Sequence, residues 1–316
     1  MQSQSGKIGM IFHWGLYSIP AFDDIGSARR RSQHSGGGSE WLIARLQAKE
    51  TDFRPPSGWK QAQTYIAKTF SPSFQYQDLI PLFEKIQVDF DHWMITAKSA
   101  GASYVILTAR HHDGYVLDKF VEKFGEVAKK HGLKWGIYYS WIEFNKPFTQ
   151  VYMKTVVEPQ LNQFKLLKPD IWWFDGHWNI QTIVGRKFVS QFVQGLKEEN
   201  PHVEINDRLS VEYKQKKNDL DWLGDATFRN FEDRYLPLRK PTVPWEHITT
   251  IGLSWGRNLQ QEERDYKTGK ELYALYEKVV ELGGRFLINL GPDGNGELDP
   301  MEVKCLQEFA GCFKSN

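Results

Sequence analysis

The chain has 316 residues, of which 41% are hydrophobic and 25% charged, and its formal net charge is +1. These values are typical of a soluble globular protein with enough apolar surface for a large core, and the near-neutral charge balance implies no polyanion partner. No apolar run is long enough to span a bilayer, and no Asn-x-Ser/Thr sequon is present.

The first predicted element is a short apolar strand over residues 7–14. A long polar passage follows, from about Asp23 to Gln63, with Glu40-Trp41 inside it. Its run Gly36-Gly37-Gly38 lacks the spacing and the lysine of a phosphate-binding loop, so we interpret it as a flexible turn.

From Tyr76 onward, short apolar runs alternate with amphipathic segments, which predicts alternating buried strands and helices. Later strands are predicted at residues 104–109, 134–140, 171–175, 202–206, 248–255 and 285–290. Helices are predicted at residues 91–100, 119–131, 152–167, 188–198, 272–282 and 303–313. The polar passage 209–244 is predicted to be a long loop.

This alternation predicts an α/β fold, a (β/α)8-type TIM-like barrel, with a doubly wound open sheet as the alternative. No repeat, low-complexity tract or linker divides the chain, which predicts one domain over residues 1–316. Cys305 and Cys312 are seven residues apart on the last predicted helix, roughly 10 Å along one face, which is too far for a disulfide.

Polar side chains follow the predicted strands at the point where each strand ends. They are His13, His111, His112, Tyr139, Asp175, Asp207 and Arg208. In a barrel the carboxyl ends of the strands meet at one rim, so these side chains are predicted to share a site. The structural alternative is that each one caps a helix or starts a turn. Asp-Gly pairs such as Asp175-Gly176 start turns in many proteins.

Three kinds of site can use such a rim. A metal hydrolase would use His13, His111 and Asp175 as ligands, although the usual His-x-His and His-Glu-x-x-His spacings are missing. A glycoside hydrolase would use two carboxylates, and a sugar-binding barrel without catalysis would need only the pocket. The aromatic content of 14% suits the flat C–H faces of sugar rings, but it also suits a large core.

Several motifs, taken together and in order, resemble family 29 glycoside hydrolases, the α-L-fucosidases. In the first half they are F-H-W-G-L-Y-S at residues 12–18, E-W at 40–41, H-H-D-G at 111–114, G-I-Y-Y-S at 136–140 and W-F-D-G at 173–176. In the second half they are I-N-D-R at residues 205–208, I-G-L-S-W-G at 251–256 and G-G-R-F-L-I-N-L-G-P-D-G-N-G at 283–296.

The resemblance implies that Asp175 is the nucleophile of a retaining α-L-fucosidase, forming a covalent glycosyl-enzyme. It also implies a set of residues around the sugar, with Trp255 packing the C6 methyl group. This set is His13, Glu40, Trp41, His111, His112, Tyr139, Trp173, Arg208 and Trp255. No cofactor and no metal are expected.

The acid/base implied by the resemblance lies in the 209–244 passage, where the family pattern D-x-x-T-x-E matches best between Asp225 and Glu232. Glu232 is therefore predicted to be the acid/base, and Glu246 and Glu212 are the alternatives. The expected substrate is a fucosylated glycan or fucoside, with no nucleic-acid or membrane partner. The competing hypotheses are a catalytically impaired fucose-binding barrel and, third, a metal-dependent TIM-barrel hydrolase.

The chain departs from the family pattern in three places. A stretch of loop that the family carries is missing between Leu117 and Asp118, and no C-terminal β-sandwich is expected after the barrel. Met1–Gly6 contains no apolar segment of a secretion signal, which predicts a cytoplasmic location by default, whereas the resembled family is often secreted, periplasmic or lysosomal.

Overall fold

The computed structural model describes residues 8–31, 37–216 and 218–314, and for Lys214 it describes the backbone alone. Its eight strands are β1 (Ile8–Phe12), β2 (Tyr104–Arg110), β3 (Lys134–Ser140), β4 (Ile171–Asp175), β5 (Glu204–Ile205), β6 (Arg229–Asn230), β7 (Trp245–Thr250) and β8 (Arg285–Leu290). Lys7, Gly36 and Met1–Gly6, for which predictions were made from the sequence, lie outside the described residues.

All the strand pairs are parallel, and the order β5-β4-β3-β2-β1-β8-β7-β6 brings the first and last strands of the chain side by side. A parallel bridge between Asn206 and Phe228 joins the remaining neighbours, β5 and β6. The ring of eight strands is thus an irregular (β/α)8 barrel, as predicted, and not a doubly wound open sheet.

The helices are α1 (Ile25–Arg30), α2 (Leu42–Gln47), α3 (Trp59–Thr69), α4 (Ile80–Phe83), α5 (Phe90–Ser99), α6 (Asp118–Lys130), α7 (Gln150–Tyr152), α8 (Glu158–Leu166), α9 (Ile183–Glu199), α10 (Glu212–Gln215), α11 (Gly269–Glu281) and α12 (Pro300–Cys312). A π-helical turn, Met153–Val157, joins α7 to α8. None of the described helices is both long and apolar enough to cross a membrane.

Side chains on each strand alternate between the barrel interior and the surrounding helices. Ile106, Tyr138 and Trp173 belong to the interior cluster, whereas Leu107 and Phe174 belong to the larger core that includes the helices. This two-residue period explains why the strands are continuous apolar runs, because both of their faces are buried.

The polar passages are more ordered than predicted. The passage 23–63 contains α1, α2 and the beginning of α3, and the passage 209–244 contains α10 and β6. The strand predicted at 248–255 instead occupies Trp245–Thr250. Cys305 and Cys312 are free thiols, as predicted.

Candidate active site

A cavity of about 460 Å³ opens at the carboxyl ends of the strands, which is the rim where barrel enzymes carry their sites. Its lining is His13, Gly37, Glu40, Trp41, His111, His112, Tyr138, Trp173, Asp175, His177, Trp178, Arg208, Tyr213, Glu232, Asp233, Ile248 and Trp255. Eight of the nine predicted sugar-binding residues are in this set, together with Asp175 and Glu232. A cavity of this size suits a small ligand.

Asp175, the last residue of β4, is a buried carboxylate surrounded by hydrogen-bond donors. The Tyr138 hydroxyl donates to its Oδ2 at 2.8 Å, and Arg208 Nη1 donates to Oδ1 at 3.3 Å. Burial alone would raise the pKa of Asp175, but the positive charge of Arg208, helped by the neighbouring histidines and Tyr138, holds it well below its ordinary value. Asp175 is therefore ionised at neutral pH.

Arg208 connects this carboxylate to the loop that follows β6. Its Nη2 donates to Asp233 Oδ1 at 2.6 Å and to the carbonyl oxygen of Phe231 at 3.0 Å. Its guanidinium also lies over the Trp173 ring, 4.7 Å from the ring centroid. One cation thereby fixes the position of the nucleophile candidate relative to the segment that carries Glu232.

Three histidines from the ends of β1 and β2 form one side of the pocket. Burial lowers the pKa of His13, of His111 and, to about 4, of His112. His13 Nδ1 bonds Asn289 Oδ1, and His112 Nδ1 bonds Ser140 Oγ at 2.6 Å. At neutral pH these side chains are neutral imidazoles, which can donate to or accept from the hydroxyl groups of an uncharged ligand.

Glu40 and the tryptophans shape the wall of the pocket. Glu40 is buried and accepts from the backbone N–H groups of Gly38 and Gly256, at 2.5 and 3.1 Å. These hydrogen bonds connect the loop around Trp41 to the loop that contains Trp255. The two loops are far apart in the sequence but adjacent in space. Trp255 in turn packs against the His13 ring, with centroids 5.4 Å apart.

The three candidates for the acid/base occupy different places. Glu232 is exposed to solvent and lines the pocket. Glu246 is fully buried inside the barrel, where Tyr104 and Trp173 donate to its carboxylate at 2.6 and 3.0 Å. Glu212 is an exposed residue of α10 with Arg186 Nε at 3.8 Å, and it does not line the pocket. Among the three, the described pocket places Glu232 alone beside the other site residues.

Tyr139 is the predicted site residue that the structure places elsewhere. Its side chain is on the outer face of β3, where its hydroxyl donates to Gln160 Oε1 of α8 at 2.7 Å. The residue before it, Tyr138, faces the interior because neighbouring residues of a strand point to opposite faces. The prediction chose the wrong tyrosine of the Tyr-Tyr pair, and Tyr138 is the one that contacts Asp175.

Sequence reasoning also missed several residues that line the pocket. They are Tyr138, His177, Trp178, Tyr213 and Asp233. A signal was available for His177 and Trp178, which directly follow the Asp175-Gly176 pair. Gly176 has φ of +76°, a turn conformation that brings the following residues back over the end of β4.

No group of three or more His, Cys, Asp or Glu side chains within residues 8–31, 37–216 and 218–314 is arranged to hold a metal ion. The metal-ligand hypothesis used His13, His111 and Asp175. In the structure, His13 bonds Asn289 and the Asp175 oxygens bond Tyr138 and Arg208. The donors Tyr138 and Arg208 stabilise the ionised form of the Asp175 carboxylate without a metal ion. The arrangement therefore suits a carboxylate that acts as a nucleophile or contacts the ligand directly.

The fold and the site thus define a barrel protein whose pocket combines a buried ionised carboxylate with neutral histidines and an aromatic wall. The family model described as "Alpha-L-fucosidase" matches residues 2–316, so the chain belongs to the alpha-L-fucosidase family.

Curated relatives agree with this assignment. The alpha-L-fucosidase of Dictyostelium discoideum is 28% identical, with 98% of this chain and 68% of the relative covered. The tissue alpha-L-fucosidase of Bos taurus is 26% identical, with 93% of this chain and 63% of the relative covered. The chain therefore spans about two thirds of the length of these relatives.

Solved structures support the fold. The Thermotoga maritima alpha-fucosidase in complex with fucose has a TM-score of 0.78 and 23% identity, with 98% of this chain and 72% of that chain covered. An alpha-L-fucosidase from Lactobacillus casei, in complex with its alpha-L-fucose product, has a TM-score of 0.69 and 20% identity, with 98% and 96% covered.

Proposed function

We propose that the chain is an α-L-fucosidase that hydrolyses terminal α-L-fucosyl linkages of glycans or simple fucosides by a retaining double displacement. The observation that carries the proposal is Asp175, a carboxylate kept ionised by Arg208 and Tyr138 in the pocket of a chain that belongs to the alpha-L-fucosidase family. An ionised carboxylate in that place is the nucleophile that retention requires.

In the first displacement, Asp175 attacks the anomeric carbon and forms an ester to the sugar. The bond from that carbon to the leaving oxygen breaks, and Glu232 gives its proton to the leaving oxygen. In the second displacement, Glu232 takes a proton from a water molecule as its oxygen attacks the same carbon. The ester bond breaks, Asp175 regains its charge, and fucose leaves with its original anomeric configuration.

The rest of the pocket suits an uncharged deoxy sugar. The neutral histidines and Glu40 offer hydrogen-bond partners to ring hydroxyls, and Trp255 offers an apolar face to a methyl group. The charge of Arg208 is already balanced by Asp175 and Asp233, so the pocket does not call for an anionic ligand.

The first test is the variant Asp175→Ala, assayed on an aryl α-L-fucoside. We expect hydrolysis to fall by several powers of ten, because loss of the nucleophile removes the covalent route. Binding of fucose by calorimetry should persist, and the control Asp52→Ala, at an exposed loop carboxylate, should keep its activity. Residual activity above about 1% of wild type would refute the assignment of Asp175.

The second test concerns Glu232→Ala. Substrates with good leaving groups need no proton, so they should be affected less than substrates with poor ones, and azide should restore turnover by attacking the glycosyl-enzyme. NMR of the first product of the wild type should show the α anomer. Glu212→Ala is the matched control, since that exposed glutamate does not line the pocket. Azide rescue in Glu246→Ala in place of Glu232→Ala would contradict the choice of acid/base.

A further inference from the structure

The barrel interior contains a buried carboxylate that the proposed mechanism does not use. Glu246, on β7, is fully buried and does not line the pocket. The Tyr104 hydroxyl and the Trp173 indole N–H donate to its two oxygens, at 2.6 and 3.0 Å, and Arg285 Nη2 is 3.2 Å from Oε2. Because Tyr104 and Arg285 are the first residues of β2 and β8, the carboxylate lies toward the amino ends of the strands.

Two carboxylates share the Arg285 cation, and they differ in what else they contact. Glu204, on β5, is half-buried, forms an ion pair with Arg285 and accepts from Lys134 at 3.1 Å. Glu246 is the one whose oxygen accepts from Trp173, a residue of the pocket wall. The two glutamates therefore offer a matched comparison between pairing with a buried cation and contact with the site.

Trp173 is in contact with both groups that support the Asp175 carboxylate. Its ring is stacked on the Tyr138 ring, with centroids 5.4 Å apart and an interplanar angle of 19°. The Arg208 guanidinium lies over the same indole, 4.7 Å from the ring centroid. Tyr138 and Arg208 are the side chains that donate hydrogen bonds to Asp175. A tilt of the Trp173 ring would therefore displace both donors at once.

The hydrogen bond to Glu246 is what fixes the plane of that ring. The indole N–H is the single polar group of the Trp173 side chain, and it can only donate. Apolar packing is non-directional, whereas a hydrogen bond prefers a narrow range of angles. Because Trp173 is buried, a rotation that broke this bond would leave its N–H without an acceptor, which is costly.

We propose that Glu246 is a positioning residue for the displacement at Asp175. Its hydrogen bond holds the plane of the Trp173 ring, and that ring holds Tyr138 and Arg208 in place around the attacking carboxylate. The inference rests on the proposed fucosidase function. It gives Glu246 a role different from proton transfer, because its carboxylate bonds the far side of a pocket-wall residue and does not line the pocket itself.

The test compares Glu246→Leu with Glu204→Leu on an aryl α-L-fucoside. Both variants take one carboxylate away from Arg285, so both should lower the melting temperature. In Glu246→Leu, kcat/KM should also fall roughly ten- to a hundredfold, because small displacements of the reacting groups are costly. Glu204→Leu should stay within about threefold of the wild type. Glu246→Gln keeps an oxygen that can accept from the indole, so it should recover most of the wild-type activity.

Trp173→Phe tests the same contact from the other side and keeps the test decisive if Glu246→Leu does not fold. It removes the N–H donor and leaves Glu246 and Arg285 in place, and kcat/KM should fall by at least about tenfold. When Trp173 is already Phe, the further change Glu246→Leu should alter kcat/KM by less than about threefold, because the interaction is already lost.

The loss in Glu246→Leu should be the same for good and poor leaving groups, and azide should not reverse it, because no proton donor has been removed. Azide rescue of Glu246→Leu would overturn the proposal, as would equal losses in Glu246→Leu and Glu204→Leu, or in Glu246→Leu and Glu246→Gln. Full activity of Trp173→Phe would overturn it as well. A wild type that releases fucose from no fucoside would instead refute the fucosidase function itself.

Discussion

His112 is a neutral base whose orientation depends on one hydroxyl group. Its Nδ1 is 2.6 Å from Ser140 Oγ, and its Nε2 is 3.6 Å from Asp175 Oδ2. Ser140 donates its single hydroxyl proton to the Ile142 carbonyl oxygen at 2.9 Å, so its Oγ accepts from the Nδ1–H of His112. Ser140 therefore holds the His112 ring in place, with Nε2 toward the nucleophile candidate.

This arrangement predicts the pH dependence of Ser140→Ala. Burial lowers the pKa of His112 to about 4, and a hydrogen-bond acceptor for its Nδ1–H stabilises the charged ring more than the neutral ring. Since the pKa of Asp175 lies lower still, the acid limb of kcat/KM in the wild type should fall near pH 4 and reflect His112. Loss of the Ser140 hydroxyl removes this acceptor, so it should move that limb toward lower pH and lower the plateau roughly tenfold.

The measurement is kcat/KM for an aryl fucoside from pH 3.5 to 8, with thermal melting at each pH to separate unfolding from titration. Thr108→Val is a suitable control, because it removes another buried hydroxyl near the rim that bonds Trp14 backbone atoms and not a histidine. An acid limb at the same pH in Ser140→Ala and wild type would show that Ser140 does not set the state of His112.

At this scale, the sequence predicts which residue types occupy the rim better than it predicts which way each one points. Asp175 ends β4 and Trp173 lies two residues before it on the same face, and both line the pocket. Tyr139 does not line it, and the sequence cannot indicate this because the tyrosines at 138 and 139 are chemically equal. Only the pairing of Tyr138 with Trp173 and of Ser140 with Asp175 fixes which tyrosine faces inward.

Among the elements, the contact between β5 and β6 is the thinnest part of the barrel wall. Each strand has two residues, whereas β2 and β3 have seven each. The Asn206–Phe228 bridge is supported by Asp207, whose carboxylate accepts from the Asn230 N–H at 2.7 Å and from Arg229 Nη1 at 3.0 Å. The buried Asp207 side chain thus connects β5 to β6, whereas the other neighbouring strands are connected by ladders of backbone hydrogen bonds.

Asp207→Ala should therefore weaken this contact more than the rest of the barrel. Removal of one partner leaves Arg229 buried without its counter-ion, which typically costs about 3 kcal/mol in the free energy of unfolding. Urea unfolding measures that loss, and hydrogen exchange should rise first in β5 and β6. Activity should fall as well, because Arg208 directly follows Asp207.

The control is Glu50→Ala, which removes the exposed ion pair with Lys60 and should cost less than about 1 kcal/mol. Equal increases of hydrogen exchange in β1 and β5 of Asp207→Ala would contradict a local role for the Asp207–Arg229 pair.

The short strand β6 shows why some elements escape prediction from sequence. Arg229 and Asn230 are polar, and their inward and outward sides are both satisfied by specific partners instead of by apolar packing. Hydrophobic periodicity has no signal in such a strand. The long strands β2, β3, β4 and β8 were predicted within a residue or two because their apolar runs are buried on both faces.

For the molecule as a whole, the order of elements was predictable because strands and helices alternate along nearly the entire chain, and a closed parallel ring is the simplest arrangement that buries both faces of every strand. What the order could not supply is the set of long-range side-chain contacts that join distant segments at the rim, such as Arg208 with Asp233 and Glu40 with Gly256. These contacts hold the loops of the site together at the rim of the barrel.

The pH dependence of folding stability is a second property of the whole molecule, because buried carboxylates and buried histidines contribute to it with opposite signs. Burial raises the pKa of Asp113 to about 6, so folding takes up a proton on this carboxylate, and its contribution to stability decreases as pH rises. Burial lowers the pKa of His112 and of His247 to about 4, so the unfolded chain binds more protons between pH 4 and 6.5, and stability decreases there as pH falls. Either pH dependence can be measured by comparing the wild type with a variant of one such residue.

His247 is suited to measuring the pH dependence of stability that a buried histidine causes, because it is buried in β7 and does not line the main pocket. Its Nδ1 is 2.9 Å from the Tyr235 carbonyl oxygen, which can only accept, so Nδ1 carries the proton and the ring is neutral. His247→Asn can keep that donor and cannot titrate. A pKa that changes from 6.5 to about 4 corresponds to about 3 kcal/mol, so the wild type should lose up to that much more stability than the variant between pH 7 and pH 4. Urea titrations of both proteins at half-unit pH steps measure the difference, and parallel curves across this range would show that His247 binds a proton as easily in the folded chain as in the unfolded one.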